Sequence, residues 1–176
     1  MIKSRHNVRR ATTSDYNEIV SVGRKSVYDA HKGSVPDRIL YQFIDASYTV
    51  EKIKEELSIP DNVYHVLEHE NQVVGFSKIL LNEAHKDIDR QDIVKLNRIY
   101  LLDDFHGLGL GKVLLNSIVE YAKNEEQAAI WLYTWVGNKR AIKFYERNGF
   151  VVAGSHDFHV AEDYYNPNHI MYLSLV

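Results

Sequence analysis

The chain is organised around Leu101-Leu102-Asp103-Asp104-Phe105-His106-Gly107-Leu108-Gly109-Leu110-Gly111-Lys112. An apolar, β-branched run from Ile93 to Leu101 precedes this segment, and apolar residues at helical spacing follow it from Val113 to Ala122. The pattern predicts a strand, a glycine-rich turn and a helix. The first amides of a helix have no internal partner and carry the positive end of its dipole, and glycine lets a ligand approach the backbone. The segment therefore predicts a turn that binds phosphate.

The glycine spacing argues against two common phosphate-binding classes. A Walker loop has four residues between its first Gly and its Gly-Lys pair, followed by Ser or Thr. Here three residues separate Gly107 from Gly111, and Val113 follows Lys112. The dinucleotide fingerprint G-x-G-x-x-G belongs to a first βα unit, whereas this G-x-G-x-G pattern lies late in the chain. A nucleoside triphosphatase and a Rossmann domain are both disfavoured.

Three segments of the chain, the glycine-rich turn among them, resemble motifs of one enzyme superfamily. His106, Gly109 and Gly111 stand at the diagnostic places of Gln/Arg-x-x-Gly-x-Gly/Ala, motif A of the GCN5-related N-acetyltransferase (GNAT) superfamily, with His instead of Gln or Arg. The run 138–150, Asn-Lys-Arg-Ala-Ile-Lys-Phe-Tyr-Glu-Arg-Asn-Gly-Phe, resembles motif B of that superfamily without a gap. The run 96–101, Leu-Asn-Arg-Ile-Tyr-Leu, resembles the Leu-Glu-Arg-Ile-Tyr-Val strand of bacterial PaiA-type polyamine acetyltransferases, with Asn97 in place of Glu. The resemblance covers nearly the whole chain.

The resemblance implies one N-acetyltransferase domain over residues 1–176 with an α/β fold. A mixed, mostly antiparallel, twisted sheet of about seven strands is expected, with helices on both faces. Its central parallel strands, ending near Leu101 and Trp135, should splay apart after a bulge. The residue pattern predicts closing strands at 150–153 and 169–176, with an aromatic and acidic connection between them, and a solvated loop over 82–92.

The resemblance also implies acetyl-CoA as the acetyl donor and assigns residues to it. Backbone groups of β-strand residues would hold the pantetheine arm, amides of the glycine-rich turn would hold the pyrophosphate, Asn138 would face the arm, and Tyr145 would be the general acid toward the sulfur. The strand residues are Ile99, Tyr100 and Leu101, and the turn residues are His106, Gly107, Leu108, Gly109, Leu110, Gly111 and Lys112.

For the acceptor, the resemblance implies direct transfer to a primary amine of a small molecule, with polyamines such as spermidine or spermine as the leading expectation. Asn97 cannot accept the proton of the amine at neutral pH because it is an amide. The base is then His31, His156, Asp157 or His159, or the enzyme takes up the unprotonated amine, or catalysis has been lost. Two other functions stay open: a non-catalytic acetyl-CoA sensor or regulator, and an acetyltransferase for protein N-termini or lysines.

Composition bounds the remaining classes. The 176 residues are 45% hydrophobic, contain no cysteine and carry a formal net charge of −3. Disulfides, thiolate metal sites and a cysteine nucleophile are excluded, and a cytoplasmic location is expected. The charge offers no footprint for nucleic acid, and neither the basic N-terminus 1–6 nor any later run suggests a signal peptide or a membrane span.

No metal is expected, because His65 and His69 lie four apart in a predicted strand and the histidines at 156, 159 and 169 lack a suitably spaced carboxylate. A monomer or a homodimer is expected.

Overall fold

The computed structural model describes residues 6–176, which form seven strands and five helices. The strands are β1 His6–Arg10, β2 Asn62–His69, β3 Gln72–Leu80, β4 Ile93–Leu101, β5 Ala129–Trp135, β6 Val151–Ala161 and β7 Tyr164–Ser174. The helices are α1 Tyr16–His31, α2 Asp37–Ser47, α3 Val50–Ser58, α4 Leu110–Asn124 and α5 Lys139–Arg147.

All seven strands belong to one mixed sheet in the order β1-β2-β3-β4-β5-β7-β6. Only β4 and β5 are parallel neighbours, and every other pair is antiparallel. The α4 crossover between β4 and β5 is what a parallel pair requires, since a short hairpin cannot join parallel strands. The predicted fold class is confirmed.

The helices cover both faces of the sheet with two separate cores. On one face, α4 and α5 bury Leu114, Ile118 and Tyr145 against apolar side chains of the central strands. On the other face, α1, α2 and α3 bury residues such as Ile19, Ile39 and Ile53 against aromatic and β-branched side chains of β2 and β3. This layering leaves the sheet interior accessible only where strands separate.

Local signals set the helix ends. The Thr49 hydroxyl accepts the backbone N–H of Lys52 at 3.1 Å and begins α3, and the Asn138 side chain accepts the N–H of Ala141 at 3.1 Å and begins α5. Gly149 ends α5 with a φ of +90°, where its N–H bonds to the carbonyl of Glu146. The next amide, of Phe150, bonds back to the Tyr145 carbonyl, which completes a Schellman motif.

The end of the chain differs from the prediction of two short strands with an irregular connection. β6 and β7 instead form one long hairpin that continues to the pair Ala161 and Tyr164. A left-handed Glu162, with a φ of +50°, makes the tight turn, and an Arg38–Glu162 ion pair of 2.8 Å attaches the tip to α2. Pro167 lies within β7 opposite Asp157, and its carbonyl accepts the N–H of Val136 at 3.0 Å.

The loop 82–92 is also less solvated than predicted. The indole N–H of Trp131 donates to the Glu83 carbonyl at 2.7 Å, and the His85 side chain is buried against Trp131. The first half of this loop therefore packs on β5.

The basic N-terminal segment singled out in the sequence lies outside the described residues, except for His6. Within residues 6–176, no helix is long and apolar enough to cross a membrane.

Candidate active site

The two central parallel strands separate after only three paired positions. Ile93 pairs with Ala129, Val94 with Ile130 and Lys95 with Trp131, but β4 continues to Leu101 and β5 to Trp135. On the other side of β4, Arg98 faces Lys78 while Leu96 faces Ile79, so Asn97 is the extra residue of a β-bulge. The expected bulge and splay are present, and they leave the β5-facing backbone groups of β4 beyond Lys95 without a strand partner.

A cavity of about 930 Å³ passes through this separation. Its lining includes Leu114 of α4 and Tyr145 of α5 on one face of the sheet, and His31 of α1 and Phe43 of α2 on the other. Two ligands entering from opposite faces can therefore meet between β4 and β5.

The glycine-rich turn lies at the α4 end of this cavity. Gly107 and Gly109 have φ values of +81° and +77°, a left-handed conformation that favours glycine. An added Cβ at either position would meet no atom within 4 Å, so the space beside the turn is open. Gly109 precedes the 15-residue helix α4, where the amides of Lys112 and Val113 already donate to the Gly109 carbonyl, so the amides of Leu110 and Gly111 are the ones that point out of the helix end. This arrangement suits the phosphates of a nucleotide.

Most residues that the resemblance assigns to acetyl-CoA line the cavity. Leu108 and Leu110 do not: the Leu108 side chain is 60% exposed, and Leu110 is buried in the core under α4. Both could act only through their backbone amides. The assigned residues that line the cavity are Ile99, Tyr100, Leu101, His106, Gly107, Gly109, Gly111, Lys112, Asn138 and Tyr145.

His106 connects the turn to β4. Its Nε2 lies 3.0 Å from the carbonyl oxygen of Leu101, and its Nδ1 lies 3.0 Å from an Asp103 carboxylate oxygen. Arg140 of α5 donates to the same Asp103 oxygen at 3.0 Å. The histidine that replaces the usual Gln or Arg of motif A thus contacts the end of β4 through Nε2, whereas its Nδ1 has no hydrogen-bond partner within the described chain despite its distance to Asp103.

Cationic side chains surround the mouth of the cavity on the α5 side. Lys112, Arg140, Lys143 and Arg147 all line it and are exposed to solvent. Such a group of cations complements the negative charge of phosphates.

Tyr145 lies at the centre of the cavity wall between α5 and β4. Its ring is 7% exposed and packs against Phe144 and Phe150, with centroid separations of 5.4 and 5.3 Å. Burial, and to a lesser degree the neighbouring Tyr100, raises the pKa of the Tyr145 phenol well above its usual value. Tyr145 is therefore protonated at neutral pH and can donate a hydrogen bond, but it cannot be the base.

The proposed acceptor-side residues divide into two groups. His31 and Asn97 line the cavity, whereas His156, Asp157 and His159 of β6 do not. His156 stacks on the lining residue Tyr133 with ring centroids 4.4 Å apart, and His159 contacts the Glu162 carbonyl at the hairpin turn. Burial lowers the pKa of His31 to about 4, so its imidazole is neutral at physiological pH.

Other acceptor-side residues were missed by the sequence reasoning. Lys95 and Arg98 of β4, Ser26 of α1 and Tyr133 of β5 line the cavity. The Tyr133 hydroxyl lies 2.8 Å from His85 Nε2, which connects the cavity to the loop 82–92. The closest sequence signal was the position of Lys95 and Arg98 on either side of Asn97, a place already singled out by the PaiA-like strand.

Within residues 6–176, no group of three or more His, Cys, Asp or Glu side chains is arranged to hold a metal ion.

Comparison with known proteins agrees with this geometry. The family model described as Acetyltransferase (GNAT) family matches residues 26–150. An N-acetyltransferase of Lactobacillus delbrueckii subsp. lactis is 23% identical over 88% of this chain and 89% of its own length. A spermine/spermidine N(1)-acetyltransferase of Bacillus subtilis is 30% identical over 52% of this chain and 61% of its own length. The crystal structure of the PaiA N-acetyltransferase of Thermoplasma acidophilum, in complex with coenzyme A, has a TM-score of 0.78 at 20% identity, with 97% of this chain and 99% of that chain covered.

The chain belongs to the GNAT family of acetyltransferases. It is an N-acetyltransferase of that family.

Proposed function

We propose that the chain forms one N-acetyltransferase domain over residues 1–176 that transfers acetyl directly from acetyl-CoA to a primary amine of a small molecule. The observation that carries the proposal is the cavity between β4 and β5, which is lined from both faces of the sheet and by Tyr145. No cysteine is present to carry an acetyl group between the two substrates.

The donor would lie along the α4–α5 side. The backbone groups of Ile99 and Leu101 point away from β3 beyond the last β4–β5 pair and can bond to the amides of a pantetheine arm, although His106 Nε2 already contacts the Leu101 carbonyl. The backbone groups of Tyr100 instead pair with Phe76 of β3. The turn amides from His106 to Lys112 and the cations of α5 would hold the phosphates. Asn138 uses its side-chain oxygen to cap α5, which leaves its amide N–H groups to face the arm.

In the reaction, the amine nitrogen attacks the thioester carbonyl, the C–S bond breaks, and an amide and a thiol are formed. Tyr145 donates a hydrogen bond to the leaving sulfur and supplies a proton as charge develops there. A reference thiol has a pKa of about 8.5, which is below that of a tyrosine, so donation to the thiolate stabilises it before the proton moves.

His31 is the proposed base, because among the four candidates it is the one whose side chain is placed at the cavity. Its neutral imidazole can accept the proton that the amine loses. Asn97, at the bulge, can orient a water molecule between amine and imidazole but cannot hold the proton itself.

The amine class can be tested with a panel. Spermidine and spermine come first, because of the resemblance to PaiA-type enzymes and the similarity to the Bacillus subtilis enzyme. Amino acids, aminoglycosides and a peptide with a free N-terminus complete the panel. A cytoplasmic location of the protein stays a prediction. Thiol release from acetyl-CoA that depends on one of these amines, with a matching N-acetyl product by mass spectrometry, supports the proposal. Binding of acetyl-CoA without transfer to any amine would instead indicate a sensor.

A further inference from the structure

The acceptor side of the cavity is cationic. Among the residues that line the whole cavity, all within the described chain, there is no Asp or Glu. The cations of α4 and α5 face the donor side, where phosphates would balance them. Lys95 and Arg98 are different, because they belong to β4: the Arg98 side chain packs toward Glu56 and Tyr48, and the Lys95 side chain packs toward Trp131 and Tyr133 of β5.

Arg98 is part of a buried cluster with excess positive charge. The Glu56 carboxylate accepts hydrogen bonds from Lys78 and from Arg98, each at 2.8 Å, and from the Tyr64 hydroxyl. One carboxylate therefore serves two cations, which leaves the cluster with a net charge of +1. The Arg98 guanidinium also lies 4.9 Å from the ring centre of Tyr48, which lines the cavity.

Lys95 forms no ion pair among residues 6–176, although Glu83 lies near enough to offset in part the lowering of the Lys95 pKa by burial. Its ammonium instead lies 4.8 Å from the ring centre of Trp131 and 5.3 Å from that of Tyr133. It belongs to the last β4–β5 pair, so it stands where the two strands begin to separate. A cation held over aromatic rings beside an open cavity remains available to an anion.

Ser26 supplies an independent sign of a ligand. Its side chain is 4% exposed, lines the cavity, and has no hydrogen-bond partner for its hydroxyl within the described chain. Buried hydroxyls are normally paired, so this one has a hydrogen-bonding capacity that the described chain does not fill.

We propose that the acceptor is a primary amine that also carries a carboxylate, held by Lys95 and Arg98 and hydrogen-bonded by Ser26. This inference rests on the proposed acetyl transfer and narrows its acceptor to amino-acid-like molecules. A polyamine would place a second positive charge beside Lys95 and Arg98, where like charges repel. A carboxylate would balance the excess charge and fill the bonding capacity that the protein leaves open.

Three acceptors with one carbon-chain length test the inference: δ-aminovalerate, pentylamine and cadaverine, whose far ends are anionic, neutral and cationic. We expect kcat/KM to fall in that order, with δ-aminovalerate at least about tenfold above pentylamine, the size of one hydrogen bond to a charged group. A matched pair of an α-amino acid and its carboxamide should show the same preference. A kcat/KM for cadaverine equal to or higher than that for δ-aminovalerate would overturn the inference while leaving acetyl transfer intact.

Variants then test which residues cause the preference for an acceptor that carries a carboxylate. Lys95→Met keeps the side-chain length and removes the charge, and it should reduce the ratio of kcat/KM for δ-aminovalerate to that for pentylamine by about 10- to 100-fold. Ser26→Ala should reduce the same ratio less. The control is Lys143→Met on the donor side, which should raise KM for acetyl-CoA and leave the ratio unchanged. An unchanged ratio in Lys95→Met would refute the role of Lys95. If none of the acceptors caused thiol release from acetyl-CoA, the acetyl transfer on which the inference rests would be refuted.

Discussion

Lys95 and Trp131 form the last backbone pair between β4 and β5, and beyond them the sheet opens. The bulge at Asn97 follows two residues later on β4, so the strand changes direction where its parallel neighbour is lost. Every proposed contact with the thioester lies past this pair. We therefore propose that the opening of the sheet, rather than a surface pocket, is where donor and acceptor meet.

Gly109→Glu should prevent coenzyme A from binding. The new side chain would place bulk and negative charge beside the turn amides, in space that is now open. In the wild type, coenzyme A at about 100 times its Kd should add about 2.7 kcal/mol of stability, or several degrees in Tm. Thermal denaturation with and without coenzyme A measures the gain.

The matched control for Gly109→Glu is Gly33→Glu. Gly33 is also left-handed, with a φ of +84°, and an added Cβ there would likewise meet no atom within 4 Å, but it does not line the cavity. Its variant should lose a similar amount of basal stability and keep the coenzyme A shift. A full shift in folded Gly109→Glu protein would rule out the turn as the binding site.

Tyr145→Phe should lower kcat by about 10²- to 10⁴-fold, the usual contribution of a general acid. The phenyl ring keeps the packing against Phe144 and Phe150, so the affinity for acetyl-CoA should change little. Single-turnover kinetics measure the chemical step directly. Turnover close to that of the wild type would make Tyr145 a packing residue.

The proposed base, His31, predicts how kcat/KM depends on pH. Burial lowers the pKa of His31 to about 4, so its imidazole is neutral at higher pH and can accept the proton only transiently, during the attack, because burial disfavours the imidazolium. We therefore expect kcat/KM to reach a plateau from about pH 6, although a lysine-like amine with a pKa of about 10.4 is still protonated there.

The replacement His31→Gln should convert this plateau into a rise of nearly tenfold per pH unit, because only the neutral amine can then react. Asn97→Glu should change kcat/KM less than tenfold. A wild-type profile that already rises log-linearly to about pH 9.5, and is the same in His31→Gln, would show that His31 is not the base.

The buried Glu56 cluster should control acid stability. Burial alone would raise the pKa of Glu56, but Arg98, Lys78 and Tyr64 together lower it below the ordinary value. A carboxyl group with a lowered folded-state pKa stabilises the fold above its unfolded pKa of about 4.3, and this contribution is lost as pH falls through the folded value. Glu56→Gln should therefore destabilise the protein at pH 7 by about 3–5 kcal/mol, because it leaves buried cations unpaired.

The adjacent Glu55→Gln is the control, since Glu55 is exposed and its ion pair with Lys52 lies at 3.8 Å on the surface of α3. We expect a change below about 1 kcal/mol. Urea denaturation at pH 7 and at pH 3 compares the two variants. Equal stability of Glu56→Gln and Glu55→Gln at pH 7 would contradict the role of the cluster.

The sequence predicted the parts of the molecule that are encoded in local runs. The strand, glycine-rich turn and helix from Ile93 to Asn124 are contained within a short segment, so their structures followed from spacing. The β6–β7 hairpin was missed because its register depends on strand pairing and on the Arg38 contact with its tip, neither of which leaves a local pattern.

The acceptor side was predicted less well for the same reason. Ser26 and Lys95 are 69 positions apart in sequence and are brought to one cavity only by the packing of α1 on the sheet. His156, Asp157 and His159 were chosen from an apparently irregular segment, but regular pairing of β6 with β7 holds them outside the cavity lining.

The central claim, that the thioester sulfur lies beside Tyr145 between β4 and β5, can be measured in a protein that has no native cysteine. In Tyr145→Cys, the single thiol should exchange with oxidised coenzyme A to give a protein–coenzyme A disulfide and one free coenzyme A thiol, followed by intact mass spectrometry. The rate should saturate with reagent, and acetyl-CoA should block it. In the control Tyr165→Cys, at a side chain that is 57% exposed and outside the cavity lining, the rate should rise linearly and be insensitive to acetyl-CoA. Linear, unprotected modification of Tyr145→Cys would contradict the proposed position of the sulfur.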